Sequence, residues 1–260
     1  MIKIKKPSTI PSILLTDGKT ANENNCVDYD KNRTAYNNGK STFDINNKIY
    51  GHTSVKNTLR EAQKNKCCFC EKDQSDEYGA VEHFRPKKGY KSTKGAKLNR
   101  PGYYWLGFEW KNLYFVCSKC NTTHKGNLFP LADEAKRAKS HHDDIRNETP
   151  LLIDPGGRKD PRKHIIFENQ FPRGRTKFGE VTIEICGLNR ETLNDARKKL
   201  IGDIEVRIAV LAYPASQKES DVTKAKRFIE DSVKADAKFS ATAIDYLKPF
   251  NIPNLVFNFG

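Results

Sequence analysis

Nowhere does the sequence hold an apolar run approaching the ~20 residues that a membrane-spanning helix needs. Its first twenty residues are basic and then apolar, but Pro7 and Pro11 interrupt them. Neither an extended apolar core nor a small-residue cleavage site follows, as a secretion signal would require. A soluble, cytoplasmic protein with no membrane partner is the expectation. Acidic residues are in deficit as well, with 32 Asp plus Glu against 46 Lys plus Arg and a net charge of +14. Such a surplus suits a phosphate backbone, where each cation neutralises a charge and releases a counterion. A solvated lysine-rich surface would account for it equally well. The hydrophobic fraction of 37% is lean, yet 10% aromatic residues argue against wholesale disorder. The 260 residues allow one large domain or two modest ones, and no internal repeat is present.

Cysteine usage narrows the class. The count of seven is odd and no secretion signal accompanies it, which speaks against a disulfide framework. Four cysteines form two C-x-x-C pairs, Cys67/Cys70 and Cys117/Cys120. Each pair is a bidentate knuckle, and two knuckles complete a tetrahedral four-thiolate zinc site. Two unrelated reduced pairs or a redox C-x-x-C are the competing readings. Cys68 stands beside Cys67 but makes a poorer knuckle with Cys70. Cys26 and Cys186 have no partner at ligand spacing and read as ordinary buried thiols.

Organisation along the chain follows composition. Residues 1–52 are polar and Asn-rich, and read as an irregular arm draped over the body or a partner. Residues 53–150 hold both knuckles. A short basic helix over 53–66, capped by Thr53 or Ser54, leads into Cys67. A strand is expected at 79–84 and another ending at Cys117, with a helix after Cys120. Further on, His141, His142, Asp143 and Asp144 form a cluster that reads as a solvated helix end in preference to a metal site. Residues 151–260 read as mainly helical, serving as core or as a partner's docking face. Within them, β-like pieces at 151–154, 165–168 and 181–186 precede a helix from Asn189 to Pro214 and a second over 221–248.

The chemistry-bearing residues lie between and just after the knuckles. Glu82 and His83 sit on the first strand, Asn112 opens the second, and Asn121 and His124 follow the last cysteine. A histidine can take a proton from water, and a carboxylate with an amide can hold a divalent ion that offsets phosphorane charge. Adjacent strand residues point to opposite faces, so the strand has to end or twist at Glu82-His83.

In order and spacing, Cys67-Cys-Phe-Cys70, Val-Glu-His-Phe-Arg-Pro-Lys at 81–87, Glu-Trp-Lys-Asn-Leu at 109–113 and Cys117-Ser-Lys-Cys120-Asn resemble an HNH endonuclease of the ββα-metal fold. More narrowly, residues 55–210 resemble the PtuB-type HNH proteins that pair with a PtuA-type ATPase in Septu and some retron anti-phage systems. The shared features include Lys-Gly-Asn-Leu-Phe-Pro-Leu at 125–131, Leu-Leu-Ile-Asp-Pro at 151–155, His-Ile-Ile-Phe at 164–167 and Thr-Ile-Glu-Ile-Cys-Gly-Leu-Asn-Arg at 182–190. The resemblance implies an α+β fold, a ββα-metal nuclease core stapled by a four-Cys zinc site with a helical C-terminal region. It implies His83 as general base, Glu82 and Asn121 as ligands of a catalytic Mg²⁺ or Mn²⁺, and Asn112 as the residue holding the base-bearing loop. Zn²⁺ on the cysteines would be structural. Relatives often carry Lys three residues beyond the final ligand, where this chain has His124 followed by Lys125. His124 is therefore either an extra metal ligand or a substituted basic contact. Arg85, Lys87, Lys88 and Lys125 are expected on a nucleic-acid backbone, DNA or an RNA such as tRNA. The implied partners are a PtuA-like ATPase and, in a retron setting, a reverse transcriptase with its RNA/DNA product. A non-catalytic zinc-containing nucleic-acid adaptor of such an ATPase is the alternative.

Overall fold

The computed structural model describes residues 1–250. The last part of the expected C-terminal region, 251–260, lies outside the described residues. The architecture is α+β, with two separate antiparallel hairpins among helices. Strands β1 (Ala80–His83) and β2 (Leu113–Val116) pair in the register Ala80↔Val116 to His83↔Leu113. One wide helical turn, Lys119–Lys125, follows β2 directly and completes a ββα unit. All four β2 residues are buried, as an apolar Leu-Tyr-Phe-Val strand covered on both faces should be.

The N-terminal arm departs from the irregular chain expected of it. It forms α1 (Lys19–Lys31), α2 (Arg33–Asn37) and α3 (Asn47–Tyr50). Helix α1 has no continuous apolar stripe. It is held instead by Leu14 and Tyr29 packing against Tyr104 and Phe108, and by Asn25 donating to the Asp44 carbonyl at 2.9 Å. Tertiary contact stabilises a helix whose own sequence is indifferent.

Helix α4 (Thr53–Ala62) appears where periodicity placed it and buries Val55 and Leu59. Its cap is His52, whose Nδ1 accepts from the Ser54 amide, and not Thr53 or Ser54. Gln63, just past its end, accepts from the Phe115 amide at 2.9 Å and donates to the Phe115 carbonyl at 2.7 Å. Its amide thus satisfies the free edge of β2 as a neighbouring strand would.

The C-terminal half brings several corrections. Residues 151–154 form no strand, and residues 181–185 belong to α5 (Lys177–Ile185), capped by Thr176 and ended by Cys186. Their β-branched content suggests a strand, yet Gly179, Thr182 and Ile185 recur at helical spacing on the buried face. The strand partner of β3 (Ile165–Glu168) is β4 (Phe171–Gly174), an edge strand that tolerates Pro172. The long helix expected over 221–248 is two, α7 (Glu219–Ser232) and α8 (Ser240–Leu247), parted by Phe239 at φ 54°. Helix α6 (Glu191–Ala212) and the closing Pro214 match expectation, except that the cap position is Arg190 and not Asn189.

A single buried cluster joins Phe84, Tyr103 and Phe129 to Ile204, Ile229 and Leu247, so the nuclease-like unit and the C-terminal helices share one core. Buried Glu71, next to the first knuckle, accepts from Ser240 Oγ at 3.1 Å and the Ala241 amide at 3.3 Å, tying α8 to that knuckle. Tyr103, Tyr104 and Trp110 are buried in the packing and do not present ring faces to solvent.

Candidate nuclease and metal centre

The two knuckles converge. Cys67 and Cys70 lie in the loop after α4, Cys117 follows β2 and Cys120 sits in the helical turn, and their four sulfurs lie within 4.8 Å of one another, all buried. Thiolates held ~2.3 Å from a tetrahedral ion stand ~3.8 Å apart. The Cys70 and Cys117 sulfurs are 3.8 Å apart, so the cluster is dimensioned to hold a metal ion. The Cys120 amide points at Cys117 Sγ at 3.5 Å, and Arg190 Nη1 lies 3.5 Å from Cys120 Sγ. Both place positive charge against thiolates. Cys68 is outside the cluster, its amide bonded to the Phe115 carbonyl. Cys186 is a buried thiol as expected, whereas Cys26 is only half-buried.

His83 ends β1 and is 2% exposed. Its Nε2 faces the Gly107 carbonyl at 2.8 Å. A carbonyl only accepts, so Nε2 carries the proton and Nδ1 carries the lone pair. Burial, then the neighbouring Lys87 charge, holds the imidazole pKa well below its ordinary 6.5. The ring is therefore neutral at neutral pH, as a general base must be. Lys87 Nζ stands 3.2 Å from Nδ1 and donates to Tyr50 Oη at 3.0 Å. The Tyr50 ring, from the N-terminal arm, meets His83 edge-on at 4.6 Å. Burial lowers the Lys87 pKa to about 8.

Asn112 fixes the loop after His83. Its Oδ1 accepts from the Arg85 amide at 2.7 Å, and its Nδ2 donates to the carbonyls of Arg85 and Leu106 at 3.1 and 3.0 Å. Three bonds from one side chain set the path of residues 85–86 and bring the 106–107 turn to His83.

Glu82 points to the other side of β1. Lys125, fully buried, donates to Glu82 Oε1 at 2.6 Å and to the His83 carbonyl at 2.9 Å. The turn that carries Lys125 closes with the Gly126 amide on the Asn121 carbonyl, a five-residue step that accommodates one residue more than an α-turn. Asn121, on the same turn, is half-buried. His124 leaves the turn elsewhere. A Cβ on Gly187 would sit 2.3 Å from the His124 ring, so the ring packs on the α5–α6 connection, which only glycine permits there. His124 also lines a cavity of about 490 Å³ with Lys91 and Lys94.

Two cations expected on a nucleic-acid backbone are engaged inside the protein. Lys125 is one. The other is Arg85, whose Nε donates to Glu148 at 3.0 Å while the guanidinium lies over Tyr103 and Phe129. Lys88 is exposed and Lys87 half-buried at the base. Residues 141–144 lead into a short helical turn, Ile145–Asn147, that Asp144 caps by accepting from the Arg146 amide at 2.8 Å. Asp143 accepts from the amides of Lys139 and Ser140, Asp144 pairs with Arg146, and the two histidines face Asp30 of α1.

A β-hairpin leading into a helical turn, with two knuckles beneath and a buried histidine at the strand end, resembles the arrangement that the motifs imply. Known proteins narrow this. The chain is 37% identical over 177 residues to Septu protein PtuB of Bacillus mycoides (strain KBAB4), which covers 65% of this chain and 59% of PtuB. It is 28% identical over 155 residues to a protein named as the candidate HNH endonuclease of retron Vc95 in Vibrio cholerae, over 56% of this chain and 63% of that protein. A stretch making up 19% of Septu protein PtuA from B. mycoides is 27% identical over 139 residues, 53% of this chain. The chain thus spans less than two thirds of the length of each relative it matches. No family model matches it. The resemblance to HNH proteins of the PtuB type, read from the motifs, holds. No helix of the described residues is long and apolar enough to cross a membrane.

Proposed function

We propose that this chain is a metal-dependent HNH endonuclease that hydrolyses nucleic-acid phosphodiester bonds, acting with a PtuA-like ATPase in anti-phage defence. The observation that carries the reading is the His83 ring, buried, neutral and fixed through Nε2 so that Nδ1 is the basic atom. Water gives its proton to Nδ1 as its oxygen bonds phosphorus, and the bond from phosphorus to the 3′ oxygen breaks. Lys87 has to leave Nδ1 first, and a substrate phosphate gives its ammonium a competing partner. Lys88 offers an exposed contact to the backbone, DNA or RNA. Asn112 acts as a positioning residue through the 85–86 loop.

Glu82 and Asn121 would supply hard oxygen donors of the kind that suit Mg²⁺ or Mn²⁺, and Lys125 donates to the Glu82 carboxylate. Such an ion, when bound, supplies positive charge to the phosphorane and the leaving oxygen. Zn²⁺ is the ion whose preferred geometry matches the four cysteines, in a closed structural role. The Septu names of two relatives support a defence setting, and the retron relative supports a reverse transcriptase with its RNA/DNA product as a further partner. The PtuA likeness is to a stretch resembling this chain itself, so it supports common ancestry of that stretch more than contact.

The test is cleavage of plasmid DNA and of total tRNA with Mg²⁺ or Mn²⁺, with the chain alone and with a PtuA-like ATPase. EDTA and His83→Ala should each abolish cleavage, with zinc content unchanged in the variant. Cutting by His83→Ala at the wild-type rate would refute the assignment. Binding without cleavage under every condition would favour the non-catalytic adaptor, whose support is that Lys125 and Lys87 cover both reactive groups.

A further inference from the structure

Asp30, at the end of α1, and the adjacent His141 and His142 lie 111 and 112 positions apart in sequence yet bring one carboxylate and two imidazoles together. Asp30 Oδ1 is 2.7 Å from His142 Nε2 and Oδ2 is 3.3 Å from His141 Nε2. All three donor atoms fall within 4.8 Å of one another. We propose that Asp30, His141 and His142 form a second metal site, for Zn²⁺, that pins helix α1 to the 140–144 turn.

The donor set is that of zinc, two neutral imidazoles and a carboxylate with the fourth position open to water. Ligand atoms ~2.05 Å from a tetrahedral ion stand ~3.3 Å apart. Asp30 Oδ2 and His141 Nε2 already have that spacing, whereas His142, half-exposed, meets the other carboxylate oxygen at 2.7 Å and has to shift before it shares an ion with them.

A second feature points the same way. The buried Tyr104 hydroxyl lies against His141 Nδ1, which fixes the ring with Nε2 toward Asp30. Imidazole ligands are characteristically held through their other nitrogen in this manner. The turn is prearranged as well, because Asp143 gathers the amides of Lys139 and Ser140 and sets both histidines on one side.

Arg33 is the competitor. Its Nη2 lies 2.8 Å from Asp30 Oδ1 and 3.1 Å from His142 Nε2, so the same donors already attract a cation. The Arg33 side chain is 55% exposed and can swing into water. Without it the site should bind Zn²⁺ more tightly by about two- to fivefold, the worth of an exposed ion pair.

The experiment is equilibrium dialysis of the full-length protein against Zn²⁺, with bound zinc counted per chain. Wild type should hold two ions, one weakly enough to be stripped by a mild chelator. Both His142→Ala and Asp30→Asn should hold one, and Cys67→Ser should lose the other. Added Zn²⁺ should raise the thermal midpoint of wild type and leave that of His142→Ala unmoved. Arg33→Ala should lower the Kd of the weaker ion. Wild type that saturates at the single cysteine-bound ion would overturn the site, as would a second ion retained by both His142→Ala and Asp30→Asn. Neither result bears on cleavage.

Discussion

Lys125 and Glu82 form a buried ion pair, the ammonium fully enclosed and 2.6 Å from the carboxylate, between the helical turn and the strand that bear the candidate ligands. Lys125→Met should leave a partly buried carboxylate without its partner and cost about 3 kcal/mol of stability. Urea unfolding measures this. A variant as stable as wild type would mean that water or a bound ion neutralises Glu82.

Asn112→Ala removes three hydrogen bonds to backbone groups, two of them on Arg85. The expected loss is about 2–3 kcal/mol at roughly 1 kcal/mol per bond. Asn112→Asp should fare little better, since a carboxylate cannot donate to the carbonyls of Arg85 and Leu106. Thermal unfolding of both variants checks this, with bound metal on the cysteines expected to be unchanged.

Lys87 gives a pH dependence with a definite sign. Burial lowers its pKa from 10.5 to about 8, so the unfolded chain holds the proton more tightly than the folded one. Stability should therefore rise with pH between about 8 and 10.5, and the full penalty should apply below 8. Lys6 is lowered to about 8 in the same way, so wild type carries both contributions. Lys87→Met should be more stable than wild type at pH 7 by on the order of 2 kcal/mol and show a shallower rise above pH 8. Denaturant titrations at pH 7.5, 9 and 10 decide it, and identical slopes would place the Lys87 ammonium in water.

The adjacent cysteines separate cleanly. Cys67 lies in the four-sulfur cluster and Cys68 outside it. Cys67→Ser should therefore lose the cluster's metal and with it most of the fold's cooperativity, whereas Cys68→Ser should retain the metal. Metal analysis of the two purified variants tests this, and loss of metal from Cys68→Ser instead would reverse the ligand assignment.

Much of the site could be read from residue order. Two C-x-x-C pairs at helix and strand ends, Glu-His before Phe-Arg-Pro and an Asn opening the second strand each carry their own local geometry. Spacing also gave α4, α6 and both central strands, where apolar periodicity is strong and a proline or cysteine marks the end. Weak periodicity is where reading failed. Helix α1 lacks a stripe, α5 is rich in β-branched residues, and the break between α7 and α8 spans residues 233–239, which hold no proline or glycine.

By itself, then, the sequence determined the two C-x-x-C knuckles and the placing of Glu82 and His83 on one strand, because those features depend on neighbours a few residues apart, while the α+β class came from the resemblance. Only the tertiary structure decided which of the cations stay on the surface. Arg85 and Lys125 look alike in sequence with Lys88, but each was drawn inside by a carboxylate, Glu148 or Glu82, that folding brought from elsewhere in the chain. The same holds for Tyr50 over His83 and for Asp30 beside the paired histidines. Burying a charge is tolerated only beside a partner, and in a folded chain that partner is set by packing and not by sequence distance.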